Sequence, residues 1–179
     1  SSFPLLSLSQ KEISCLIESL PGGASNIVDA YPLSHLQEGI YFHVLLNESR
    51  DPYLLTMFPS INSPDDVGRI EEAIKHLITR HEVLRTTIIS ENLDTPVQVV
   101  LRDVDFDFTH IQLNGVIDSR LSDEAYAHEM VKMSGIQNLN MDLAQAPLIR
   151  GIVISSDGSR NPVVVIQMPH EITKTGVFE

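Results

Sequence analysis

Apolar residues recur along this 179-residue chain with two spacings, one helical and one extended, and the switches between them mark out its elements. Ile13, Leu16, Ile17 and Leu20 have helical spacing, with Ser9 placed to cap the segment and Pro21, Gly22 and Gly23 to stop it. Residues 27–33 read as a short extended entry, because a residue before proline, here Tyr31, is pushed toward β geometry. A helix is expected from Ser34, where Gln37 stands three residues on to complete a capping box, and Leu36, Ile40, His43 and Val44 share one face. Residues 53–61 suit a strand. The strongest helical pattern follows: Ser63 as cap, Pro64 as first residue, Asp65 and Asp66 at the positive end of the dipole. Its stripe is Val67, Ile70, Ala73, Ile74, Leu77 and Ile78.

The next stretch is β-rich. Residues 85–90 and 96–101 are β-branched runs flanking a turn at 91–95, which reads as a hairpin, and 106–111 alternates as a further strand. A helix should start after Ser122, with Asp123 and Glu124 in its first turn and Tyr126, Met130 and Met133 facing inward. Residues 147–155 and 162–168 form two last strands across the turn-prone 156–161. The run Val163, Val164, Val165, Ile166 suits a central strand buried on both faces. The whole predicts an α/β fold in which helices from Ser34, Ser63 and Ser122 cover one mixed, partly antiparallel sheet. Residues 1–25 read as a lead-in rather than core, and 26–179 as one domain or lobe.

Composition narrows the function. Apolar residues at 42% and charged residues at 20% describe a globular chain, not a disordered one. A net charge of −12 without any basic stripe excludes nucleic acid and anionic membrane, both of which reward clustered Lys and Arg. The single cysteine, Cys15, excludes an internal disulfide and reads as a structural thiol. No secretory signal pattern and no apolar run near the ~18 residues of a membrane span is visible, so a cytoplasmic protein is expected. His76, His110 and His128 lack ligand spacing, so no metal site is expected. Neither a glycine-rich phosphate loop nor a GxSxG elbow is present.

Four segments carry a family likeness. Residues 31–43, YPLSHLQEGIYFH, resemble the first core motif of the condensation domains of nonribosomal peptide synthetases, with His35 where proline is usual. Residues 80–86, RHEVLRT, match the second motif, RHExLRT, in full. Residues 141–150, MDLAQAPLIR, resemble the segment fDLxxxPLxR that precedes the last strands, and MPHEITKTG at 168–176 stands where the third motif, HHxxxDG, belongs. The resemblance covers one of the family's two lobes. It implies a lobe like chloramphenicol acetyltransferase, with residues 1–25 as the linker from a carrier protein and a second, C-terminal lobe outside the chain. Gln37, Arg80, His81, Arg85, Asp142 and Arg150 are then motif residues with structural roles.

Amide formation from a thioester needs an amine freed of its proton and a stabilised oxyanion, and a histidine beside the thioester serves as base or positioning group. In the family this is the second histidine of HHxxxDG. One register makes it His170, with Pro169 in place of the first histidine, Lys174 in place of the aspartate and Thr175 in place of the glycine. The other aligns Gly176 with the motif's glycine and puts Glu171 at the catalytic position. The first is preferred, since Val163 to Met168 then meets the loop at the usual length. The family's aspartate pairs with a second-motif arginine, here Arg85. Lys174 replaces that attraction by a repulsion of ~4 kcal/mol for charges ~4 Å apart at an effective dielectric of ~20.

The resemblance further implies donor and acceptor thioesters carried on the phosphopantetheine arms of partner carrier proteins, with no cofactor held by the domain itself. Adjacent synthetase domains are the other expected partners. The isolated chain is expected not to condense substrates and to self-associate as a homodimer through surface meant for the missing lobe. Two alternatives stay open: a non-catalytic module that docks a carrier protein, and an acetyltransferase-like enzyme completed by self-association.

Overall fold

The computed structural model describes residues 8–34, 38, 54–115, 117–136, 141–158 and 160–169. The chain makes two compact units that interleave in sequence, the first drawn from residues 1–48, 77–105 and 142–148 and the second from 49–76, 106–141 and 149–179. The strands accordingly divide between two sheets rather than joining the single one expected.

In the first unit, α1 (Gln10–Ser19) begins at a full capping box, in which the Ser9 hydroxyl accepts from the Glu12 N–H and the Glu12 carboxylate accepts from the Ser9 N–H. Gly22 and Gly23, at φ 78° and 64°, turn the chain out of the helix. A Cβ on Gly22 would come within 2.8 Å of the Asn26 Cβ. The Asn26 amide then ties the turn to a distant strand end, donating to Pro21 and Asp103 carbonyls and accepting from the Asp103 N–H at 2.8 Å. Strands β1 (Ile27–Pro32), β3 (Thr86–Ile89) and β4 (Val97–Leu101) form an antiparallel sheet in the order β1-β4-β3, so the expected hairpin is present. Val97, Val99 and Leu101 of β4 pack with Ala30, Ile89, Leu16 and Leu20. Leu16 and Leu20 are 3% and 6% exposed, so the lead-in segment supplies core, contrary to its reading from sequence. The reason is its i, i+4 apolar pair, which finds a sheet face to cover.

The second unit holds β2 (Leu54–Met57), β5 (Thr109–Leu113), β6 (Arg150–Ser156) and β7 (Val163–Pro169) in the order β2-β7-β6-β5. β5 runs parallel to β6 and the other pairs are antiparallel, which gives the mixed sheet its character. β7 is internal, and its residues from Val163 to Met168 are all buried, as the apolar run predicts. Both β2 and β5 are shorter or later than their sequence patterns. Pro59, which has no N–H to give a ladder, follows β2 closely. Phe106 and Phe108 are not ladder residues. Their rings meet edge to face at 5.6 Å and cover Gly151, where any Cβ would fall within 2.9 Å of the Phe106 Cζ and nearer still to the Phe108 ring.

Helix α2 (Asp65–Arg80) starts where the Asp66 carboxylate accepts from the Asn62 and Ser63 N–H groups, bonds that hold its pKa below the usual carboxylate value. Its buried stripe is narrower than expected: Ile74 and Ile78 are buried, whereas Ala73 faces solvent, one residue off the i, i+4 line. Helix α3 (Asp123–Ser134) is capped by the Ser122 hydroxyl on the Ala125 N–H, as predicted. Tyr126 and Met130 face the sheet, but Met133 is 53% exposed. Gly135, at φ 74°, reverses the chain just after it, and Ile136 enters the core in its place beside Ile152, Ile154, Val163 and Val165.

Candidate active site

The second-motif residues are built by the end of α2. Arg80 sits exposed in the last helical turn, where a cation is favoured by the dipole. The His81 N–H closes the helix on the Leu77 carbonyl at 2.9 Å, and His81 then turns extended, with φ −115° and ψ 111°. A single 3-10 turn, Glu82–Arg85, follows; it drives Leu84 to complete burial and delivers Arg85 to the start of β3. The Arg85 Nε and Nη1 atoms are buried with no hydrogen-bond partner, and so is the Thr87 hydroxyl. A guanidinium with two unsatisfied donors is a costly arrangement, since each buried unmade bond costs about 1–3 kcal/mol and more where charge is involved. These are the buried polar side-chain atoms left unsatisfied among the described residues.

Asp142 lies in the first unit, where its carboxylate accepts from the Ala144 N–H at 2.9 Å and its carbonyl from the Gln145 N–H. That turn leads to residues 143–148, whose backbone meets the outer edge of β3 through the Ile88 N–H to Leu143 carbonyl bond and the preceding 3-10 turn through the Leu148 N–H to Leu84 carbonyl bond. Tyr31, from the first motif, donates to the Asp29 carboxylate at 2.6 Å, and this bond raises the phenol's pKa by favouring its protonated form.

Arg150 belongs to the second unit and begins β6. Its Nε and Nη2 both donate to the Gln167 Oε1, the former at 3.0 Å, and partial burial lowers the guanidinium pKa. Gln167 is 5% exposed, and its Nε2 donates to the Thr56 hydroxyl at 3.4 Å. Sequence reading missed Gln167 and Thr56; the available signal was one amide in an otherwise apolar run. His170, Gln37, Glu171 and Lys174 lie outside the described residues.

A groove of about 790 Å³ opens in the second unit, lined by Phe58, Asn62, His128 and Arg160 among others. In its wall Arg160 lies 4.1 Å over the Tyr126 ring and donates to Asp123 at 2.7 Å and to the Leu121 carbonyl at 2.8 Å. Arg160 thereby staples the β6–β7 turn to the start of α3. No metal-binding cluster of His, Cys, Asp or Glu occurs among the described residues. Nor is any helix among them long and apolar enough to cross a membrane.

The family model of the condensation domain matches residues 27–173. Malpibaldin synthetase of Mortierella alpina is 35% identical over 94% of this chain, and gramicidin S synthase 2 of Brevibacillus brevis is 32% identical over 81%. The chain spans 3% of the length of each of these curated relatives. Among solved structures, the first condensation domain of the CDA synthetase superposes with a TM-score of 0.54 over 80% of this chain and 36% of its own, at 12% identity, a likeness of fold. With the second motif intact on its 3-10 turn and a buried central strand running toward residue 170, the chain belongs to the condensation-domain family of nonribosomal peptide synthetases.

Proposed function

We propose that the chain is the first lobe of a condensation domain that joins carrier-bound aminoacyl or peptidyl thioesters, with His170 as base or positioning group. The observation that carries this is β7. It is internal to its sheet and buried from Val163 to Met168, so the strand that ends at Pro169 is a rigid support. Catalytic groups are best held where the element beneath them cannot shift. In the reaction the acceptor amine attacks the donor thioester carbonyl, the tetrahedral oxyanion collapses, the C–S bond breaks, and the amine proton passes to the departing thiolate. His170 takes or orients that proton. The thioesters ride on phosphopantetheine arms of carrier proteins, and the domain holds no cofactor. Residues 1–25 lead in from a carrier protein, in a cytoplasmic assembly whose second lobe completes the site.

By itself the chain does not condense substrates. Arg85, matched to the family arginine that pairs with the third-motif aspartate, has two buried donors without an acceptor, in keeping with a lysine at 174. The isolated chain self-associates as a homodimer, tightening as salt screens its charge of −12. The test is a carrier-loaded assay of the full synthetase. His170→Ala should lower the condensation rate about 10²–10⁴-fold. Pro169→His with Lys174→Asp should raise it. An unchanged rate in His170→Ala would leave the lobe as a non-catalytic carrier-docking module.

A further inference from the structure

Thr56, Gln167 and Arg150 stand directly opposite one another on three neighbouring strands, Thr56 paired with Gln167 and Gln167 with Arg150 in the sheet register. They share one face with Ile152, Ile154, Val163 and Val165, which pack under α3. Along β7 that face is apolar at 163 and 165, becomes amide at 167, and reaches Pro169. The polar row is therefore the last complete cross-strand row before residue 170.

The chemistry of the row is one-directional. The Arg150 Nε and Nη2 both donate to the Gln167 Oε1, which orients the amide so that its Nε2 points to the Thr56 hydroxyl. A buried side chain held from both sides has one rotamer. An apolar residue at 167 would pack as well but would let the last pleat of β7 twist and slide, because cross-strand side-chain pairs are what fix local register. An amide in the least exposed strand of this unit is dispensable for burial and useful for register.

We infer that the Thr56–Gln167–Arg150 row is a positioning device that sets where residue 170 leaves the sheet. The inference rests on the proposed role of His170. None of the three is a catalytic residue, since each acts through the backbone of β7.

The test reads position directly and needs no turnover. In the full chain, the ring ¹³C–¹H resonances of His170 are assigned by their loss in His170→Gln, then compared among variants. Arg150→Met and Thr56→Val, distant in sequence from 170, should each move these resonances, and Gln167→Leu should move them furthest. Gln167→Glu, which keeps an acceptor for Arg150, should return them toward wild type. Ile152→Val, on the same face but outside the row, should lower the Tm and leave His170 in place. If Arg150→Met and Thr56→Val lower the Tm as Ile152→Val does while the His170 resonances stay fixed, the row is structural only and the inference fails. Condensation in the full synthetase that survives His170→Ala would overturn the catalytic reading instead, and leaves the resonance result standing.

Discussion

Gly151→Ala tests the packing of the second unit at its tightest point. The added methyl would meet the rings of Phe108 and Phe106, both 6% exposed, with the Phe106 Cζ 2.9 Å away and the Phe108 ring closer still. Neither ring can swing clear, because each is held against the other edge to face at 5.6 Å. Gly151 lies opposite Ile166 of β7, so the backbone cannot retreat without disturbing the buried strand. Overpacking of this kind costs about 1–3 kcal/mol. For a chain of this length each kcal/mol lowers Tm by roughly 2–4 °C, so a fall of about 2–12 °C is expected. Differential scanning calorimetry measures it, with near-ultraviolet circular dichroism checking that the two units unfold together. Phe108→Leu makes room, so the double variant Gly151→Ala, Phe108→Leu should be more stable than the sum of the single effects implies. A Tm within about 1 °C of wild type for Gly151→Ala, or strict additivity, would refute the account.

Acid should weaken the first unit through Glu12, whose pKa is lowered from its ordinary 4.5 first by the Ser9 N–H and then by the Asp94 N–H. Its folded pKa lies below the unfolded one, so its contribution is present above about 4.5 and is lost as pH falls through the folded value; Glu12→Gln should flatten the fall of the urea midpoint below about pH 4.5. Ile136→Ala should cost about 2–5 kcal/mol in urea unfolding, and Met133→Ala within about 0.5, reversing the order their sequence positions suggest. Arg85→Met keeps the aliphatic stem and removes two unsatisfied donors, so it should raise the urea-derived stability by about 1 kcal/mol, and a loss would mean that Arg85 has an acceptor after all.

The elements that local chemistry decides were legible in advance. Ser9 and Ser122 cap their helices, the 85–90 and 96–101 runs pair, and the apolar run at 163–168 is internal to its sheet. What escaped was decided at a distance. Met133 and Ile136 have similar claims to the core, and only the left-handed turn at Gly135 selects between them. Phe106 and Phe108 alternate as a strand would, yet a glycine more than 40 residues away takes their rings. Leu16 and Leu20 looked like linker residues until a sheet face came to meet them. At the site, motif spacing singled out Arg85 and Arg150, but not that one would be buried unsatisfied and the other bound to Gln167. His170 and Gln37, the other two sequence choices of most interest, fall outside the described residues.

The interleaving of the two units has a consequence for synthesis on the ribosome. β2 pairs with β7 from Leu54 opposite Pro169, so 169 − 54 = 115 residues separate the first strand of that sheet from its neighbour. At about 5–20 residues per second, β2 waits roughly 6–23 s after leaving the peptidyl transferase before a strand exists to pair with it. Residues 142–148, which line the β3 edge of the other unit, are likewise made late. The first unit is complete once residue 148 has been made, whereas the second still waits for β6 and β7, so the two close in that order. A pause placed after residue 105 or 141 would hold open strand edges in the nascent chain, and chaperone capture should peak there.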